Sequence, residues 1–129
     1  MTKPRKWLER AEEDRKVAKL AYNEGIYNQT CFHCQQGAEK AMKAFLLGKS
    51  GRYPKTHFLV ELFELCKAVD ESFSGLFDEC IYLDQFYVPT RYPDAVIGSL
   101  PGGLPGKIEA EQALAALNRV FEFIERKLA

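Results

Sequence analysis

The stretch CFHCQQGAEKAMKAF, residues 31–45, decides how this chain is read. Cys31 and Cys34 flank His33 and invite a metal or redox reading. The same residues also place Cys31, Cys34, Ala38, Ala41 and Phe45 at alternating spacings of three and four, which is the seam of one packed helix face. On that face a free cysteine behaves as a small buried hydrophobe. A structural zinc site usually draws on four ligands. No second Cys-x-x-Cys follows, so zinc would have to recruit the isolated Cys66 and Cys80 with His33 or His57. A thiol pair gains some support from Cys31 in a first helical turn, where the helix dipole lowers a thiol pKa. Yet no strand precedes this helix, as a thioredoxin-like unit would need. The expectation is core packing, with no metal and no cofactor.

The helical period extends outward from this seam. Upstream, residues 4–24 carry Trp7, Ala11, Asp14, Ala18 and Ala21 on one stripe, with Pro4 suited to a first turn and Gly25 to a stop. The second helix is expected from about Asn28, as N-cap, to near Gly48. A third begins after Pro54 with Thr56 as N-cap and carries Leu59, Leu62, Phe63, Cys66 and Val69. A fourth, about 74–88, carries Leu76, Cys80, Leu83 and Tyr87 and stops at Pro89. A fifth, about 107–128, carries Leu117, Val120, Phe121, Ile124 and Leu128. No period-two strand pattern appears. Between the last two helices lies PTRYPDAVIGSLPGGLPG, residues 89–106, which holds four of the six prolines. A loop this long in a compact domain is often functional. The fold expected is all-α: an up-and-down bundle of four to five helices with a long loop before the last, in one domain over residues 1–129.

The 129 residues are 47% hydrophobic and 28% charged, a globular balance. No apolar run approaches the roughly 18 residues of a membrane span, and the start MTKPRKWLERAEEDRK has no apolar signal core. A cytoplasmic protein with reduced thiols is expected. Net charge is zero, but residues 1–55 hold 12 Lys/Arg against 6 Asp/Glu, and residues 56–129 the reverse. A wholly basic nucleic-acid binder is thereby disfavoured. Solvated helix faces, a basic groove for a phosphate-bearing ligand, and electrostatic self-association all fit the asymmetry. Gln36, Glu39, Lys40 and Lys43 share one face of the second helix, with Glu39 and Lys43 a favourable i,i+4 pair. That strip is either solvated or the lining of a groove between helices. Asp14 lies on an apolar stripe, and a buried carboxylate needs a partner. His57, at a predicted helix start, would be favoured as the neutral imidazole by the dipole, ready to accept a proton. The aromatics Tyr82, Phe86 and Phe123 serve either a partner surface or the core.

Four segments, in order, resemble the HEPN family, the "higher eukaryotes and prokaryotes nucleotide-binding" domain. CFHCQQGAEKAMKAFLL is similar to its Gln-x-x-x-Glu-Lys-x-x-Lys-Ala helix, and YPKTHFLVELF to its Pro-x-Thr-His-x-Leu segment. FYVPTRYPDA resembles its Thr-Arg-Tyr-Pro-Asp segment. WLERAEEDRKVAKLAYNEGIYNQTCF resembles its opening helix, with an Asp in mid-helix and a Gly-x-Tyr turn. The resemblance implies a helical bundle, commonly a homodimer, often encoded beside a minimal nucleotidyltransferase with which it forms a toxin–antitoxin pair. Other branches are metal-independent RNases with an Arg-x(4–6)-His motif, in which the 2′-hydroxyl of RNA is the nucleophile and the protein supplies base, acid and cation.

Arg91 stands in the matching segment, but RYPDAVIGS has no histidine four to six residues on. RYPKTH, Arg52 to His57, has the spacing in a different segment. The resemblance makes Arg91 and Tyr92 candidate partners for Asp14, with Arg91 otherwise bound to Asp94 or to a phosphate. Three functions are open. The first is an interaction module that binds a nucleotidyltransferase partner, with a nucleotide in a groove lined by Lys40, Lys43, His57 and Arg91, and with Gln36, Glu39, Asp14, Tyr92 and Asp94 as further ligand-binding candidates. The second is a metal-independent endoribonuclease with Arg91 or Arg52 at the phosphate and His57 as base, its site shared across a dimer. A zinc or thiol protein built on Cys31 and Cys34 comes third.

Overall fold

The computed structural model describes residues 3–87 and 103–129. Helix α1 runs Pro4–Asn23, α2 Tyr27–Ser50, α3 Leu59–Val69, α4 Phe77–Asp84 and α5 Lys107–Leu128, with a 3-10 helix at Glu71–Leu76 before α4. No strand occurs among the described residues. The architecture is the all-α bundle expected. Helix α2 is its axis: it packs most extensively on α1 and α5, and less so on α3 and α4.

The apolar stripes form the core as their spacing predicts. Cys31, Cys34, Ala38, Ala41 and Phe45 are each at 0% exposure, and from the other helices Ala11, Ala18, Leu62, Cys66, Leu83, Leu117, Val120 and Ile124 complete the interior. Small residues let the axes approach closely. A Cβ built on Gly37 would stand 3.2 Å from Leu117 Cδ1 and 3.4 Å from the Ala11 carbonyl oxygen, so glycine is what lets α1 and α5 close on α2 here. The α1–α2 turn passes through Gly25 at φ +75°, a left-handed conformation that favours glycine. Tyr82 and Phe123 are half-buried against the core and Phe86 is fully buried, so these aromatics belong to the interior.

The helix starts differ from expectation. Helix α2 begins at Tyr27 after Ile26, before Asn28 could cap it. Helix α3 begins at Leu59, and Thr56 Oγ1 accepts from Phe58 N at 3.2 Å, ahead of the helix. Its first two amides instead donate to Asp84 at the end of α4, Leu59 N to Oδ1 at 2.8 Å and Val60 N to Oδ2 at 3.4 Å. Burial pushes the Asp84 carboxyl up, even against those two amide bonds that lower it. Val69, expected inside, is 41% exposed, because α3 ends there and the chain turns away at Asp70.

Candidate functional site on the central helix

Two carboxylates, one from α1 and one from α2, organise the polar side of α2. Asp14 reaches the interior of the α1–α2 contact and is 7% exposed. Its Oδ1 meets His33 Nδ1 at 2.9 Å and its Oδ2 accepts from Lys40 Nζ at 2.6 Å. Burial raises the Asp14 pKa, but the hydrogen bonds from His33 and Lys40 outweigh it, so the carboxyl lies below its usual range. The partners expected for Asp14, Arg91 and Tyr92, lie outside the described residues, as does Asp94. Within the described residues His33 and Lys40 fill that role. Both are about one-quarter exposed, so they face solvent at one end and Asp14 at the other.

Asp14 carries a pH prediction. A carboxyl whose folded pKa is depressed adds stability that is present above its unfolded value and is lost as pH falls through the folded value. Asp14→Asn should therefore be less stable than wild type by a constant amount at neutral pH. That deficit should shrink below about pH 4, as the wild-type carboxyl protonates. Urea midpoints of both proteins from pH 7 down to pH 3 measure this. A deficit independent of pH would show that the Asp14 charge contributes nothing.

Further along α2, Glu39 is the second centre. Its side chain is 5% exposed, and its Oε2 accepts from Lys43 Nζ at 2.9 Å and meets His57 Nδ1 at 3.1 Å. Gln36 Nε2 donates to Gln35 Oε1 at 2.8 Å and approaches Glu39 Oε1 at 3.4 Å. Gln35 Nε2 donates to the His57 carbonyl oxygen at 2.9 Å, pinning the α2–α3 connection onto α2. The His57 ring stacks on Tyr87 at 5.3 Å with 9° between planes. Lys43 lies over the rings of Trp7 at 5.7 Å and Tyr53 at 6.0 Å.

The polar strip is thus neither fully solvated nor an open groove. Glu39 and Lys43 are buried, and His57 is the exposed end of their network, its side chain 55% accessible. In the His57 tautomer that donates from Nδ1 to Glu39 Oε2, Nε2 is the nitrogen that carries the free lone pair. Arg52 is exposed and lines a cleft of about 390 Å³ with Leu46, Ser50, Tyr53, Leu65 and Val69. A larger groove of about 640 Å³, lined by Pro4, Arg5, Glu12, Phe121 and Leu128, lies elsewhere. Neither includes Asp14, Glu39 or His57. The carboxylate-held histidines and these two concavities are in different places.

The cysteines take no part in it. Burial pushes Cys31 and Cys80 up to about 12, and Cys34 and Cys66 up as well, so all four are packed thiols. Among the described residues no group of three or more His, Cys, Asp or Glu side chains is placed to hold a metal ion. No helix among them is long and apolar enough to cross a membrane.

Sequence reasoning leaves His33 out of the site, because the cysteines on either side claim the motif. The signal is its register: three residues before Gln36 and seven before Lys40, on the polar edge of α2. Tyr87 reads as part of an apolar stripe, and its stacking on His57 follows only from the packing of α3 and α4 against α2.

Fold and site together define an all-α bundle whose central helix presents histidines held by buried carboxylates. The HEPN domain model matches residues 4–127, and the chain belongs to that family. A curated protein of Methanocaldococcus jannaschii named "Putative toxin MJ1304" is 30% identical over 128 residues, covering 92% of this chain and 84% of that one. The crystal structure of TT1696 from Thermus thermophilus superposes with a TM-score of 0.84 at 33% identity, over 99% of this chain and 100% of that one. ST0689, an archaeal HEPN homologue, gives 0.77 at 26% identity, over the whole of both chains.

Proposed function

We propose that this chain is the toxin-like HEPN member of a toxin–antitoxin-type pair, self-associating, partnered by a minimal nucleotidyltransferase, and binding nucleotide or RNA at the polar side of α2. The observation that carries this reading is the Glu39–Lys43 ion pair, buried at 5% and 6% side-chain exposure, with His57 bonded to it and half in solvent. Burying two charges seldom adds stability over apolar packing. A buried pair that orients an exposed histidine is better accounted for as a working site. The similarity to a relative named as a putative toxin supports the same direction. The test is growth arrest on induced expression of the wild type, relieved by His57→Ala and by co-expression with a minimal nucleotidyltransferase. Arrest that is unchanged by both would remove this reading.

One observation favours metal-independent RNA cleavage as the chemistry: Glu39 holds His57 Nδ1, and in the tautomer that donates there Nε2 is the nitrogen left to accept a proton as a general base. Incubation of purified protein with RNA and chelator should give products bearing 2′,3′-cyclic phosphate. His57→Ala should lower the rate by about 100-fold or more. Equal cleavage by both proteins would end the ribonuclease reading.

A further inference from the structure

We infer that His33 is a second functional histidine of this site, acting as the proton donor that complements His57; this rests on the ribonuclease reading. Three observations converge on it. His33 repeats the arrangement of His57: in each, Nδ1 is bonded to a buried carboxylate, at 2.9 Å to Asp14 and at 3.1 Å to Glu39. Each ring is thereby oriented, and neither Nε2 has a hydrogen-bond partner among the described residues. The second observation is continuity. His33 packs edge-on against Phe32 at 5.4 Å, Phe32 lies 6.4 Å from Tyr87, and Tyr87 stacks on His57. A chain of ring contacts therefore links the two histidines. The third is charge. Lys40 sits on the other oxygen of Asp14 at 2.6 Å and is one-quarter exposed, so a cation accompanies His33.

The ligand class is a single-stranded RNA phosphodiester. The 2′-oxygen attacks phosphorus, and its proton passes to His57 Nε2. The bond from phosphorus to the 5′-oxygen breaks, and the proton on His33 Nε2 passes to that oxygen. The products are a 2′,3′-cyclic phosphate and a 5′-hydroxyl. No oxidant, reductant or metal enters, and the two imidazoles return to their starting states by proton exchange with solvent. Lys40 offers charge to the phosphate while Asp14 holds both groups in place.

The leaving group distinguishes this role from a structural one. A dinucleoside phosphate needs a proton at its departing oxygen, whereas a uridine 3′-(4-nitrophenyl phosphate) releases a stable phenolate without one. His33→Ala should lower kcat on the dinucleotide by about 100-fold or more, yet stay within about threefold of wild type on the nitrophenyl ester. His57→Ala should lose both. His33→Asn, which can still donate to Asp14, should behave as His33→Ala and guards against a misfolded variant. If His33→Asn lowers both substrates equally, or neither, the assignment is overturned while the ribonuclease reading stands. If wild type cleaves neither substrate, that reading itself fails and this assignment fails with it.

Discussion

Glu39→Ala should cost about 3–5 kcal/mol of folding stability, the usual result of removing one partner from a buried ion pair. The reason is what it leaves behind. Lys43 is 5% exposed and would keep its ammonium inside the bundle without a counter-charge. The Trp7 and Tyr53 rings beside it offer only about 0.5–2 kcal/mol of cation–π attraction. The same substitution releases His57, which loses the bond that orients it. The companion double variant Glu39→Leu with Lys43→Met should regain most of the loss, because well-packed apolar side chains of similar volume often replace a buried pair at little cost. Urea unfolding of the wild type, Glu39→Leu, Lys43→Met and the double variant closes the cycle, with Glu39→Ala measured beside them. A single-variant loss below about 1 kcal/mol would mean that water reaches Lys43 and that the pair is not buried in solution.

The second large effect is expected at Phe73. This residue sits in the 3-10 helix Glu71–Leu76, at 0% exposure, and meets Phe45 at 5.2 Å, Phe63 at 6.1 Å and Phe123 at 5.2 Å. Three helices therefore converge on one ring. Phe73→Ala should cost about 3–5 kcal/mol through lost burial and the cavity left among the remaining rings. Phe77, 43% accessible, also touches Phe63, but its change to alanine should cost under about 1.5 kcal/mol. Thermal melts of the two variants side by side make the comparison. Equal losses would show that the Phe73 cluster is loosely packed. None of the ring contacts of Phe73 involves His33 or His57, so any surviving folded protein should retain the geometry of the reacting groups.

Most of the fold was legible because its causes are local. The seam at Cys31, Cys34, Ala38, Ala41 and Phe45 repeats with the helix period, and all five residues are fully buried. The stripe of α5, read from Leu117, Val120, Phe121, Ile124 and Leu128, is likewise inside except for Leu128, which is half-buried near the chain's end. The helix starts were less legible. Thr56 has the chemistry of an N-cap, yet the amides of α3 are satisfied by Asp84, 25 residues beyond Leu59 in the chain. Such a cap depends on α4 packing beside α3, which no local pattern announces.

The site divides along the same line. Sequence alone determined that Glu39 and Lys43 pair, since four residues is about one helical turn, and that Asp14 on an apolar stripe needs a partner. It also placed Gln36, Glu39, Lys40 and Lys43 on a common face and the four cysteines among small core residues. Only the tertiary structure decided that the Glu39–Lys43 pair is buried, because α2 is the axis of the bundle and even its polar face is covered by Trp7 and Tyr53. Only the packing of α1 on α2 chose His33 and Lys40 for Asp14, and only the pinned loop before α3 brought His57 to Glu39. Periodicity fixes which side of a helix a residue occupies. Which charge it meets there depends on how closely neighbouring axes approach, and that is set by the whole core together.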